Sequence, residues 1–308
     1  AKATLLRDKN HPSIILWSIG NENPLTPITE VTGKYVKQTD PTRPICYPQM
    51  GGYFNENYSI IPDFVDVYAP HYRNAQWVKD FSKETNRPVI MTEYAHALGL
   101  AFGNMADIWK EMYRNEAFAG GAVWHFHDQG ILQKSEKPVD TGQLTYDVWI
   151  DSLNYYNTTL DGADGIVYAD RTPQIDYWQL RKVYSPVQVI EKEMNIVQGK
   201  QELNFTAYNQ YDFTDLNKLK GTWELVRNRD IVQQGQLKMN CAPHDTVRVS
   251  IPCTIAEDPE NAVWLLRLCF SDFGGIQIVE HTIRLLDEDQ MKTIRKAIRE
   301  GLDRKSVV

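Results

Sequence analysis

Ser13-Ile14-Ile15-Leu16-Trp17-Ser18-Ile19-Gly20-Asn21-Glu22 and Pro88-Val89-Ile90-Met91-Thr92-Glu93-Tyr94-Ala95-His96 share one design. Each is a near-continuous apolar run of strand length that stops at a carboxylate. Apolar runs without alternation suit strands buried on both faces, as in a parallel sheet covered by helices. Runs at 44–48, 65–69 and 120–126 have the same texture. Between them, 27–38, 75–84 and 104–115 carry helical spacing of apolar residues, for example Met105, Ile108, Trp109 and Met112. This alternation predicts a parallel sheet with right-handed crossovers. In an eight-stranded α/β barrel the active site lies at the C-terminal strand ends, so Glu22 and Glu93 read as catalytic groups rather than solvated caps. A closed barrel takes about 250 residues and eight strands. Only five strands fit between Ser13 and Gln129, so a partial barrel is expected.

From about Pro186 the pattern changes to short β-rich runs separated by turns. Candidates are Val187–Ile190, Glu202–Tyr208, Gly221–Arg227, Ile231–Gln236, Thr246–Ile251, Ala262–Cys269 and Gln277–Arg284, with turn signals at Asn228-Arg229-Asp230 and Phe273-Gly274-Gly275. Seven short strands of this kind predict a β-sandwich of about 100 residues. Trp223, Trp264 and Phe270 are assigned to its core. From Asp287 the chain is charged and weakly amphipathic, a helix or a frayed end. The expected organisation is therefore 1–185, the C-terminal part of a barrel; 186–286, a sandwich; and 287–308, a tail.

Two carboxylates at strand ends that a barrel brings together, from adjacent or facing strands, are what glycoside hydrolysis needs, one to protonate the leaving oxygen and one to attack the anomeric carbon. The motifs carry a resemblance. Asp8-Lys9-Asn10-His11-Pro12-Ser13 followed by Trp17-Ser18-Ile19-Gly20-Asn21-Glu22 resembles the acid/base signature of glycoside hydrolase family 2. Thr92-Glu93-Tyr94-Ala95-His96-Ala97 resembles the nucleophile signature of its β-galactosidase branch. Gly120-Gly121-Ala122-Val123-Trp124-His125-Phe126-His127-Asp128-Gln129 is similar to the strand that closes that family's barrel. Asp164-Gly165-Ile166-Val167-Tyr168-Ala169-Asp170-Arg171-Thr172-Pro173 is similar to the segment leading to the next domain. The motifs occur in the family's order and cover roughly residues 7–187.

The resemblance implies strands 4–8 of a (β/α)8 TIM barrel followed by an immunoglobulin-like β-sandwich, with earlier strands and domains upstream of Ala1. It implies Glu22 as general acid/base, with Asn21 bonding the sugar 2-hydroxyl, and Glu93 as nucleophile. Tyr72, in Ala69-Pro70-His71-Tyr72, matches a tyrosine that hydrogen-bonds the nucleophile; His96 and Trp124 match residues lining the sugar subsite. The chemistry requires no cofactor, but the resemblance implies Mg ions at a site that Glu22 shares with upstream ligands, and Na ions near Asp164. Asn23-Pro24 after Glu22 and Leu98-Gly99-Leu100-Ala101-Phe102-Gly103 after Ala97 depart from the large bacterial β-galactosidases. Both departures bear on substrate identity more than on chemistry.

A retaining mechanism wants the carboxyl groups about 5–5.5 Å apart, against about 6.5–9.5 Å for inversion. One must carry a proton while the other is ionised, and an aromatic floor such as Trp124 offers the apolar sugar face a stacking surface. A metal site from His125, His127 and Asp128 is weighed against structural roles, which lead; His11 reads as a strand anchor.

The chain has 308 residues, 42% apolar and 24% charged, with a net charge of −7. That is globular composition with room for two domains. The negative charge argues against nucleic acid, and no apolar run approaches the ~20 residues of a membrane span. The four cysteines show no CxxC or metal-type spacing and read as buried thiols. Without the native N-terminus a leader peptide cannot be judged, so localisation is open between bacterial cytoplasm and periplasm. Three readings follow. The first is a retaining exo-β-glycosidase, a β-galactosidase hydrolysing terminal β-galactosides by double displacement. The second is another family 2 activity, β-glucuronidase or α-L-arabinopyranosidase. The third is a non-catalytic module needing complementation. Expected partners are a β-linked oligosaccharide or glycoside and, for a fragment inactive alone, a complementing N-terminal part or a homo-oligomer.

Overall fold

The computed structural model describes residues 1–50, 61–98, 102–128, 164–168, 170–256, 262–293 and 295–296, and the backbone of 133–134 and 155–156. Part of the loop after Ala97 (99–101), Gln129, Ala169, and Ile294 and 297–308 of the tail lie outside the described residues. The chain divides into two compact units, Ala1–Val183 and Tyr184–Val308.

In the first unit the elements are α1 (Lys2–Asp8), β1 (Trp17–Ser18), α2 (Pro27–Thr39), β2 (Ile45–Cys46), α3 (Ala75–Phe81), β3 (Val89–Tyr94), α4 (Met105–Arg114), β4 (Phe118–Val123), β5 (Gln133–Lys134), β6 (Tyr155–Tyr156) and α5 (Ile175–Val183). β1 pairs parallel with β2, and β3 parallel with β4. Parallel bridges Cys46↔Val67, Tyr68↔Val89 and His71↔Glu93 join the two pairs through the 65–71 segment. Spatial order thus follows chain order, as successive right-handed βα units produce. The result is an open arc of short parallel strands; among the described residues it does not close into a barrel.

The strands are shorter than the apolar runs suggest. The predicted strand 13–20 reduces to two residues because its start is otherwise engaged. The Ile14 N–H donates to His11 O, Arg43 donates to the Ile14 and His11 carbonyls, and Ile15 is exposed. The 65–69 run forms bridges rather than a ladder. The last run begins at Phe118 and ends at Val123, before Trp124. The helices follow their caps. In α2, Thr26 and Thr29 form a reciprocal capping box with Pro27 in the first turn. Asn74 Oδ1 accepts the Trp77 N–H at the start of α3. α4 buries Met105, Ile108 and Met112, one face at helical spacing, and leaves Trp109 half-buried.

The second unit contains β7 (Val187–Val189), β8 (Glu193–Asn195), β9 (Gly199–Asn209), β10 (Lys220–Arg227), β11 (Asp230–Leu237), β12 (Thr246–Ile255), β13 (Trp264–Ser271) and β14 (Gln277–Leu286). They form a five-stranded sheet, β11-β10-β13-β14-β8, and a three-stranded sheet, β12-β9-β7. Alternating burial along β9, β12, β13 and β14 turns one face of each sheet into a shared core that includes Phe205, Ile251, Leu266 and Phe270. This is a β-sandwich. Truncating a fully buried member such as Leu266→Ala costs about 2–5 kcal/mol. His281 Nε2 lies 2.8 Å from Val187 O, tying one sheet to the other. Trp264 and Phe270 are buried as expected, whereas Trp223 is only half-buried, lying over Gly235, its cross-strand partner. β8, Glu193-Met194-Asn195, escapes the sequence pattern because it has one apolar residue between two polar ones. Residues 288–293 are helical.

Candidate active site

Four non-glycine residues with positive φ stand at the ends of four successive strand segments of the arc: Glu22 (54°), Gln49 (43°), Tyr72 (51°) and Ala95 (49°). Left-handed backbone in such residues costs energy and concentrates at functional sites. Hydrogen bonds between neighbouring segments hold the strain: Glu22 N to Pro48 O, Gln49 N to Ala69 O, Tyr72 N to Glu93 O, and Ala97 N to Trp124 O.

These ends bring two distant carboxylates together. Oxygens of Glu22 and Glu93 and a ring nitrogen of His71 all lie within 4.8 Å of one another. The Glu22 side chain is 23% exposed, that of Glu93 10%, and that of His71 fully buried. The Tyr72 hydroxyl donates to Glu93 Oε2 at 2.6 Å. His71 Nδ1 is 2.8 Å from Glu22 Oε1 and 3.4 Å from Glu93 Oε2.

A second cluster adjoins the first. The Tyr72 and His96 rings stack with centroids 5.7 Å apart. His96 Nε2 is 3.3 Å from Asp164 Oδ2, the Trp124 indole N–H donates to that oxygen at 3.0 Å, and His125 Nε2 is 2.8 Å from Asp164 Oδ1. Gly165 makes this possible. A Cβ there would meet the backbone of His127 and Asp128 at 2.2 Å, so only glycine lets the 164–167 segment lie against residues 125–128, just past β4. The Gly165 N–H donates to Asp128 Oδ1, and burial pushes the Asp128 carboxyl up despite that bond.

Five of the six sequence-selected catalytic and sugar-site residues, Glu22, Glu93, Tyr72, His96 and Trp124, therefore join one network. Asn21 does not: it is exposed, and its backbone N–H donates to Asn23 Oδ1. Sequence reasoning passed over His71 and Gln49. His71 sits beside Tyr72 in a quoted motif, and that adjacency to the residue expected to pair with Glu93 is the available signal; Gln49 offers none.

Residues 1–189 match the family model described as the TIM barrel domain of glycosyl hydrolases family 2. The chain belongs to glycoside hydrolase family 2. Residues 205–271 match the model for domain 4 of β-galactosidase. Relatives include a β-galactosidase of Leuconostoc mesenteroides, 32% identical over 80% of this chain, and one of Pseudoalteromonas haloplanktis, 29% identical over 94%. The chain spans about a quarter of their lengths, 24% and 28%.

Taken alone, the described residues do not complete the Mg or Na sites that the family 2 resemblance implies. Mg²⁺ takes near-octahedral oxygen ligands. Among the described residues, the ligand-type atoms gathered at Glu22 are an imidazole nitrogen already within hydrogen-bond distance and an oxygen of Glu93. At Asp164, an indole N–H and two imidazole nitrogens face the carboxylate where a Na⁺ site would need oxygen acceptors. Asp164 anchors the rings around it. His125 is committed to Asp164 and its ring lies edge-on to that of His127, centroids 6.2 Å apart, so these histidines form an ordered polar cluster.

Proposed function

We propose that this chain carries the catalytic pair of a retaining exo-β-glycosidase acting on terminal β-galactosides, with Glu22 as acid/base and Glu93 as nucleophile. The observation that carries the reading is the approach of their carboxylate oxygens within 4.8 Å. So close an approach suits direct attack by one carboxylate better than inversion, which wants the two groups about 6.5–9.5 Å apart. β-Galactosidase relatives covering most of the chain support galactose as the sugar.

In the first step, a Glu93 oxygen attacks the anomeric carbon while Glu22 gives its proton to the leaving oxygen. Tyr72 holds Glu93 Oε2 and so presents Oε1 to the substrate. In the second step Glu22 takes a proton from water, which attacks the same carbon and frees Glu93. Both steps are acid–base and nucleophilic chemistry of the two carboxylates and require no cofactor. Trp124, its indole fixed by Asp164, offers the apolar sugar face a stacking surface, and His96 lies between Asp164 and Tyr72 to meet a sugar hydroxyl. The β-sandwich is read as the family's immunoglobulin-like domain, structural in role.

The test is a panel of nitrophenyl glycosides on the full natural protein that contains this sequence, with the product anomer followed by NMR. Preference for the β-galactoside with β-galactose released first supports the reading. Release of α-galactose first refutes retention, and preference for the β-glucuronide or α-L-arabinopyranoside refutes the sugar.

A further inference from the structure

His71 is the buried side chain that touches both carboxylates, and its surroundings define what it does. Its backbone N–H donates to Gln49 Oε1 at 3.0 Å, and Gln49 is itself buried. Its residue bridges to Glu93 across the parallel strands, and its ring lies edge-on to Tyr72 with centroids 5.8 Å apart. The imidazole is thus fixed by backbone and packing, with no solvent to take its place. Among the described residues Nε2 meets no hydrogen-bond partner, while Nδ1 faces two carboxylate oxygens. A buried N–H without an acceptor is costlier than a bare ring nitrogen, and carboxylate oxygens need a donor. The ring hydrogen therefore sits on Nδ1.

We propose that His71 is a positioning residue for the acid/base, acting through an Nδ1–H donated to Glu22 Oε1. The inference rests on the double-displacement reading above. The 2.8 Å contact to Glu22 against 3.4 Å to Glu93 makes Glu22 the principal acceptor. Occupying Oε1 leaves the acid proton to Oε2, the oxygen free to face the leaving group. In the second step the same N–H stays with the Glu22 carboxylate while Oε2 takes the proton of the attacking water. The donor also separates two carboxylates that otherwise face each other directly.

The test compares kcat/KM for phenyl and 2,4-dinitrophenyl β-galactosides in the full natural protein, His71→Leu, His71→Asn, His71→Gln and, as control, Glu22→Ala. Activated aryl groups leave without protonation, so His71→Leu is expected to slow the phenyl substrate about 100-fold and the dinitrophenyl substrate about threefold or less. His71→Asn, whose amide N–H stands where Nδ1 does, recovers most of the phenyl rate; His71→Gln, whose amide reaches the Nε2 position, does not. Equal slowing of both substrates by His71→Leu, while Glu22→Ala stays leaving-group-selective, overturns the proposal and leaves the assignment of Glu22 intact. A Glu22→Ala control without selectivity overturns that assignment itself, and this inference with it. Should His71→Leu fail to fold, the Asn and Gln variants decide: equal phenyl rates for the two count against the proposal, and a clear advantage for Asn supports it.

Discussion

Tyr72→Phe removes one hydroxyl and leaves the ring stacked on His96. The bond lost is a 2.6 Å donation to Glu93 Oε2. A hydrogen bond to a charged group contributes about 1.5–3 kcal/mol, which corresponds to about 10- to 150-fold in rate if fully expressed in one step. Which step feels it follows from where the charge is. Glu93 is a carboxylate in the free enzyme and gives up that charge as it bonds the sugar, so the Tyr72 bond weakens during attack. In the second step the carboxylate is re-formed, and the bond strengthens toward the transition state. The variant should therefore accumulate glycosyl-enzyme. With 2,4-dinitrophenyl β-galactoside, kcat should fall by about 10- to 150-fold, KM should fall with it, and kcat/KM should change much less. Stopped-flow measurement should show a burst of dinitrophenolate equal to the enzyme concentration. A loss of kcat/KM at least as large as that of kcat, without a burst, would refute the reasoning and assign Tyr72 to substrate binding.

Asp164→Asn replaces an acceptor oxygen with an amide in the midst of N–H donors from Trp124 and two imidazoles. Stability of the first unit to urea should fall by about 2–4 kcal/mol, and KM for the galactoside should rise more than kcat falls, as expected when the sugar's stacking surface loses its anchor. Asp40 should make the first unit acid-sensitive. Hydrogen bonds from Thr42, the Trp17 indole N–H and Arg43 hold its carboxyl well below the ordinary carboxylate range. A depressed folded-state value means that its stabilisation is present in full above about pH 4, the ordinary aspartate value. That stabilisation is lost as the pH falls further toward the folded-state value. Asp40→Asn should thus destabilise the protein at pH 7 and flatten the wild-type fall in melting temperature between pH 4 and lower pH; parallel profiles for the two proteins would contradict this.

The meeting of Glu22 and Glu93 was legible because each ends an apolar run, and strand ends of a parallel sheet converge at one edge. The helices were legible for a similarly local reason, since caps such as Thr26 and Asn74 act within three residues. What stayed hidden is non-local. His71 meets Glu22 across 49 positions, and Asp164 meets Trp124 across 40 and His96 across 68. No periodicity encodes such meetings; the parallel arc and the space at Gly165 create them. The ring nitrogens gathered around Asp164 likewise emerge only once the strand ends converge. The first strand is shorter than its apolar run for a comparable reason: Arg43, 29 positions on, takes the Ile14 carbonyl that a strand partner would have used.

The central claim is that Glu93 attacks the sugar. The direct measurement is inactivation of the full natural protein by 2,4-dinitrophenyl 2-deoxy-2-fluoro-β-galactoside, followed by proteolysis and mass spectrometry of the labelled peptide. The account predicts one fluorogalactosyl group per chain, bound to Glu93, with no label on a Glu93→Gln variant. Stoichiometric labelling of another carboxylate, with Glu93→Gln still turning over substrate, would contradict it.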